Sequence, residues 1–340
     1  MIRNELQKLF SPLHIIILTV LLAIKLCVSI IPYSVHVPYS KAVYREYMRE
    51  LAGQTAAEAT AFIAGESAWM DKALNTEIAD GMTVQEQFAV SEARRDADRK
   101  KEAFEAVCAK YAYFCEYAES GDPPVFFYDL EWNAFLTDNS PDWLFLLCII
   151  TVIVPFFTAD CGAIRTMLFA SRHGRARLIR VKLHCAWMTA FSLALIFQVM
   201  EIICFIARSG MAWSDAPLHS LQAFSGSRLG LTLCSFMLLR SISRILWSIP
   251  VCLLAAYLCV RMRSASFSVL LFAGILLIPA LLGGFLPPVI GSMLVGISMN
   301  GAVPFQEAEN IMLLMINGIA MIVHTVLLSV MTVTCWLQKA

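Results

Sequence analysis

Two ionisable residues stand inside apolar stretches, where an unpaired charge is costly: Lys25 in LLAIKLCVSI and Glu201 in IFQVMEIICF. Lys25 lies six residues and Glu201 five residues from the ends of their stretches that face the same side. At 1.5 Å per residue the depths are about 9 and 7.5 Å. Similar depth allows an ion pair if the two helices touch. The alternative is separate snorkelling toward headgroups, which Lys does readily and the shorter Glu less so. A second concentration of charge fills 159–183, where Arg165, Arg172, Arg175, Arg177, Arg180 and Lys182 face one acid, Asp160. On its own such a run is expected to anchor the loop to anionic lipid at about 1 kcal/mol per basic side chain.

Other chemistry is not spelled out. No G-x-x-x-x-G-K-[ST], H-E-x-x-H, G-x-S-x-G or G-x-G-x-x-G occurs, so ATP hydrolysis through a P-loop, and enzymatic activity in general, are not expected of this chain. His14, His36, His173, His184, His219 and His324 lack ligand spacing and are expected to pack or to sit at boundaries, and no metal is expected. Nine of the eleven cysteines lie in or beside apolar segments, where Cys acts as a small hydrophobe. Cys108 and Cys115 are seven residues apart on one expected helix. Their Cα atoms would then be about 10.5 Å apart, beyond the ~7 Å limit for a disulfide.

These residues are carried by long apolar helices. Of 340 residues, 59% are apolar and 15% charged, against about 25% charged in a typical soluble chain. Six stretches, near 13–31, 143–158, 184–206, 245–260, 267–286 and 311–337, are long enough or nearly so to cross ~30 Å of hydrocarbon. The second is short and suits an upright helix or a thinned bilayer. Residues 229–243, interrupted by Arg240, read as an interfacial or re-entrant prelude to the fourth, with Arg240 and Arg244 at a polar boundary. The first stretch lacks a small-x-small cleavage site and reads as an uncleaved anchor.

Net charge is zero, but residues 32–142 hold ten Lys/Arg and twenty Asp/Glu, while the remainder holds sixteen basic and six acidic groups. The neutrality is a cancellation between compartments and does not suggest a nucleic-acid binder. With six crossings, Arg3, Lys8, the 159–183 segment, Arg261, Arg263 and Lys339 all fall on one side, expected to be cytoplasmic. Both termini are then cytoplasmic and 32–142 is extracellular. That segment reads as helices near 40–51, 55–78 and 84–118. Thr55-x-x-Glu58 and Thr83-x-x-Glu86 have capping-box spacing, each after a Gly that would stop a preceding helix, and Gly121-Asp122-Pro123-Pro124 closes the last. The expected architecture is an all-α membrane protein of about six transmembrane helices: an interfacial helix and first span (1–31), an extracellular helical hairpin domain (32–142), and a membrane domain (143–340).

The passage Phe157-Thr-Ala-Asp160-Cys-Gly162-Ala-Ile-Arg165, followed by Ser171-Arg172-His-Gly174-Arg175 and Lys182, resembles the signature region of type-2 ABC transporter permeases. There an acid and a Gly precede a short amphipathic helix, and a Ser/Thr-rich turn, an Arg and a Lys lead into the third span. The acid here is Asp rather than the more usual Glu, and the turn lacks the frequent Pro. The opening MIRNELQKLF is similar to the family's interfacial helix. Tyr47-Met48-x-x-Leu51-x-Gly53-x-Thr55-x-x-Glu58 with Phe62-Ile63-x-x-Glu66 is similar to the outer-domain opening of Gram-positive members, and Gly283-Gly284-Phe-Leu-Pro287-Pro288 to an outer re-entrant hairpin. The resemblance implies a permease subunit of an exporter in the cell membrane. It implies a separate ABC ATPase, carrying ATP and Mg, that engages Asp160, Gly162, Arg165, Ser171, Arg172, Arg175 and Lys182. It also implies a second permease copy or related permease, with lipid contact all round. The alternative is a membrane sensor or assembly protein whose extracellular domain binds a ligand or peptide.

Overall fold

The computed structural model describes residues 7, 9–31, 35–77, 82–117, 123–138, 142–158, 172–225, 230–262, 264–282, 285–295 and 311–338, with the backbone alone at 172–175, 280, 288, 292 and 311. Asp160, Gly162, Arg165 and Ser171 lie outside the described residues, as do Arg3, Lys8, Arg263, Lys339, Gly121, Asp122, Gly283 and Gly284. The described secondary structure is helical, with one isolated bridge between Pro217 and Thr232. The chain divides into two compact units.

The first unit comprises Met1–Pro32, Leu136–Met211 and Met237–Ala340. Its helices are α1 (Pro12–Ile30), α6 (Trp143–Thr158), α7 (Arg172–Ser209), most of α8 (Leu233–Met262), α9 (Ala265–Leu282), α10 (Pro288–Met293) and α11 (Ile311–Gln338). Among the described residues, four helices are long and apolar enough to cross a membrane: Pro12–Ile30, Ala176–Ser209, Leu233–Met262 and Met312–Gln338. Trp143–Thr158 and Ala265–Pro279 are apolar but shorter. The core forms around α8, where Trp247, Val251, Cys252, Leu253, Ala255 and Ala256 are buried. On the periphery α1 packs against α6 and α7, and α11 against α7 and α10. These peripheral helices are apolar on their outer faces too: Leu13, Ile16, Val20, Met312, Ile319 and Ile322 are all exposed. Exposed apolar side chains on this scale are at home in hydrocarbon, not in water, as befits a multi-pass membrane protein.

α8 corrects one expectation. It runs unbroken through residues 233–262, so 229–243 is not a separate interfacial or re-entrant piece over its described part. At 30 residues it is about 45 Å long. The helix has no need to break at its arginines, because both are buried and bonded. Arg240 donates to the Asp138 carbonyl and Arg244 to Glu201.

The second unit comprises Tyr33–Phe135 and Ala212–Phe236. It holds α2 (Lys41–Glu50), α3 (Ala56–Asn75), α4 (Val84–Glu116) and the larger part of α5 (Leu130–Thr137). α3 and α4 run antiparallel: the Thr60 hydroxyl meets that of Tyr111 at 3.0 Å, and Lys100 lies over Trp69 at 5.4 Å. Tyr47, Met48, Ile63, Phe104, Val107 and Phe114 fill the space between them and α2. α5 was not foreseen. Nor was the membership of 212–236, which the sequence reading left in the membrane domain. Leu218, Leu221 and Phe224 of this segment are buried, and several side chains bond its backbone carbonyls. Tyr113 Oη donates to the His219 carbonyl at 2.6 Å, Tyr117 Oη to that of Ser225 at 2.9 Å, and Trp132 Nε1 to that of Ala212 at 3.2 Å. Gly53 takes φ +81°, and a Cβ there would stand 3.2 Å from the Trp213 ring; a side chain is disfavoured on both counts.

Both capping boxes form. The backbone N–H groups of Thr55 and Thr83 donate to Glu58 and Glu86 at 2.7 Å each. These backbone bonds, helped by the threonine hydroxyls, hold both carboxyls below the usual Glu range. The lowered folded-state value means their stabilising effect is fully present above the unfolded value and fades as pH falls through the folded one. In carboxyl-labelled NMR of the detergent-solubilised protein, Glu58 and Glu86 are expected to titrate below the usual glutamate range. Titration within that range would show that the boxes do not hold in solution.

Candidate functional site

α7 fixes the distance scale of the membrane unit. From Arg180 to Glu201 it advances 21 residues, about 32 Å, close to the ~30 Å of a bilayer's hydrocarbon. Cationic side chains stand at one end of that interval and a mixed cluster of charge at the other.

The mixed cluster joins four elements. Lys25 on α1 bonds Asp142 Oδ2 at 2.7 Å and also Glu201 Oε1 on α7. The second oxygen of Glu201 accepts from Arg244 Nη1 on α8 at 2.9 Å, and Gln198 Nε2 adds a contact at 3.4 Å. Asp142 meanwhile caps α6, its Oδ1 accepting the Phe145 N–H at 3.1 Å. The Lys25 ammonium lies 5.5 Å from the Phe197 ring centre. All four charged side chains keep only 9–12% of their surface exposed. Among the bonded groups two cations and two anions balance, and buried Arg240, bonded to the Asp138 carbonyl, is a further cation acting on Glu201. Such a constellation suits a clamp between helices: it is expensive to open, because opening strands charges in an apolar setting. A small cavity beside it is lined by Asp142, Phe145, Ala194, Phe197, Gln198 and Arg244.

The structure thus brings Lys25 and Glu201 together and adds two partners that residue counting missed. Asp142 had been assigned to the outer domain, yet Asp-x-x-Phe before an apolar run is an N-cap pattern. Arg244 had been assigned to a polar boundary. Its spacing from Arg240, one helical turn, was the available signal that both face one way.

The opposite end holds Lys182, the member of the expected coupling set whose side chain is described. It is fully buried. Its Nζ donates to the Phe156 carbonyl near the end of α6 at 2.7 Å, and lies 4.5 Å from the Phe156, 5.6 Å from the Phe157 and 5.9 Å from the Trp336 ring centres. Lys182 therefore ties α7 to the last turn of α6 and to α11. Arg172 and Arg175 belong to the first turns of α7 by backbone alone. Among the described residues no three His, Cys, Asp or Glu side chains converge as a metal site.

Lys25→Met leaves Asp142 and Glu201 with a cation too few, and a loss of about 3–5 kcal/mol is expected. Adding Asp142→Asn restores the balance and keeps a capping side chain, recovering about 1–3 kcal/mol. Equilibrium unfolding of the full chain in mixed micelles measures both. A double variant no more stable than the single one would show that the four charges do not act as a unit.

Comparison of the chain with family models, with curated proteins and with solved structures gives no match.

Proposed function

We propose that this chain is the membrane-spanning permease subunit of an ABC transporter, working as an exporter with a separate ATP-hydrolysing subunit. In this reading α6 and α9 cross the bilayer with the four longer helices, making six crossings. α6 has 16 residues, about 24 Å, which an upright helix in a locally thin bilayer accommodates. The second unit then faces the outside and the 159–183 segment the cytoplasm, in keeping with the separation of acidic from basic residues.

The observation that carries the reading is Lys182. An ATPase moves a permease only if the segment it grips is mechanically joined to the spans. Segment 159–171 is flanked by α6 and α7, and Lys182 bonds α7 to the Phe156 carbonyl just before that segment leaves α6. A displacement of the segment is thereby delivered to both helices together, and through Trp336 to α11. The drive requires that the ATP-bound and ATP-free partner prefer different arrangements of these helices. Residues Asp160, Gly162, Arg165, Ser171, Arg172 and Arg175 supply the contact surface, and ATP and Mg belong to the partner. Two copies, or one with a related permease, complete the pathway.

A second reading, a sensor or assembly protein, has one observation in its favour. A groove of about 710 Å³ in the second unit is lined by Trp69, Glu92, Arg95, Asp96 and Arg99, among others, and offers mixed charge to a peptide. Gentle solubilisation of cells producing the full chain separates the two readings. An ATP-binding subunit is expected to co-purify, and Arg165→Glu, Arg172→Glu and Arg175→Glu together are expected to release it. Retention of the ATPase by the triple variant, or its absence from the intact chain, would count against the permease assignment.

A further inference from the structure

At the cationic end of α7 a groove of about 390 Å³ opens within the membrane unit. Its floor and rim are Phe10, from the turn before α1, and His184, Met188, Ser192, Leu193 and Ile196 of α7. Phe10 is held in place because neighbouring Leu9 is fully buried, and the Leu9 carbonyl lies 3.0 Å from His14 Nδ1. On α7 the residues 180, 184, 188, 192 and 196 follow one another at intervals of four, so they form a single ridge. The ridge changes character along its length. Arg180, with Arg177 one turn before it, is exposed, and neither guanidinium has a carboxylate partner among the described residues. His184 comes next, stacked on Trp187 at 6.1 Å. Met188 and Ile196 follow, 61% and 43% exposed. From His184 to Ile196 the ridge is about 18 Å long, near the half-thickness of ~30 Å of hydrocarbon.

We propose that this groove is a binding site for an anionic phospholipid of the adjoining leaflet. The phosphate lies on Arg177, Arg180 and the edge of His184, and one acyl chain runs along Met188, Leu193 and Ile196 against Phe10. The charge gradient selects the ligand: two exposed guanidiniums favour a phosphate that keeps a net negative charge over one neutralised by its own choline. The apolar length matches one chain within one leaflet. A soluble anion would use the arginines and leave the groove empty. The site requires only that α7 cross the bilayer, so it stands or falls separately from any ATPase partner.

Native mass spectrometry of the full-length protein, titrated with dioleoyl phosphatidylglycerol and separately with dioleoyl phosphatidylcholine, tests the proposal. Phosphatidylglycerol is expected to bind at least tenfold more tightly. Arg177→Gln and Arg180→Gln are each expected to weaken it about fivefold, the equivalent of about 1 kcal/mol per basic residue, with phosphatidylcholine unaffected. Ser192→Trp fills the groove and is expected to abolish the tight site while the arginines remain. The single arginine variants keep the test informative if Ser192→Trp does not fold. Equal binding of the two lipids, or tight binding that survives both single arginine variants, overturns the proposal. So does retention of phosphatidylglycerol by Ser192→Trp, which would place the headgroup on the surface without a groove-bound chain. Competition by millimolar inorganic phosphate as effective as that of the lipid would also overturn it, by showing an anion site only.

Discussion

Charge set against hydrocarbon has to be neutralised from nearby, and in this protein that need joins helices far apart in sequence. Lys25, Asp142, Glu201 and Arg244 come from α1, the cap of α6, α7 and α8. None of the four is tolerable alone where it stands: a buried charge left without a partner costs several kcal/mol. Together they compensate one another, and the compensation has a geometric consequence. Glu201 bonds Lys25 with one oxygen and Arg244 with the other, so α1 and α8 are both held to α7 at one level. Asp142 fixes where α6 begins, because the carboxylate that pairs Lys25 also caps that helix. Interdigitated apolar side chains also resist sliding, and the bonded charges add contacts that only one pairing of residues can make.

The other end of the same helices is held differently. Lys182 has a backbone carbonyl and three aromatic rings around its ammonium, a softer setting than a salt bridge. The two ends of these helices are therefore held by different chemistry, a network of opposite charges at one and a single cation on a carbonyl and three rings at the other.

What the sequence made legible follows from how local each signal is. The capping boxes at Thr55 and Thr83 were readable because a cap involves four consecutive residues and a fixed spacing. Lys25 and Glu201 could be matched because helical rise converts residue number into depth. Arg244 was misplaced because an arginine in an apolar run looks the same whether it marks a boundary or turns inward to a carboxylate 43 residues away. Asp142 was misplaced because its position at the edge of an acidic segment concealed that it caps the next helix. The inclusion of 212–236 in the second unit was not readable at all. That segment is held by buried Leu218, Leu221 and Phe224 and by bonds to its backbone carbonyls, and neither an apolar side chain nor a carbonyl reveals its partner in sequence. The coupling residues 160, 162, 165 and 171 lie outside the described residues, so for them the resemblance in the sequence is the whole basis.

The account requires the acidic helical unit and the basic bend after α6 to face opposite compartments, since only then do the charge clamp and Lys182 mark the two boundaries of one bilayer. The direct measurement is labelling of intact cells with a membrane-impermeant thiol reagent, using single added cysteines at Glu92 and Arg177, both exposed, over the background of the parent chain. The account predicts labelling at 92 in intact cells and at 177 only after the membrane is opened. Equal labelling of both positions in intact cells, or of neither, would contradict it.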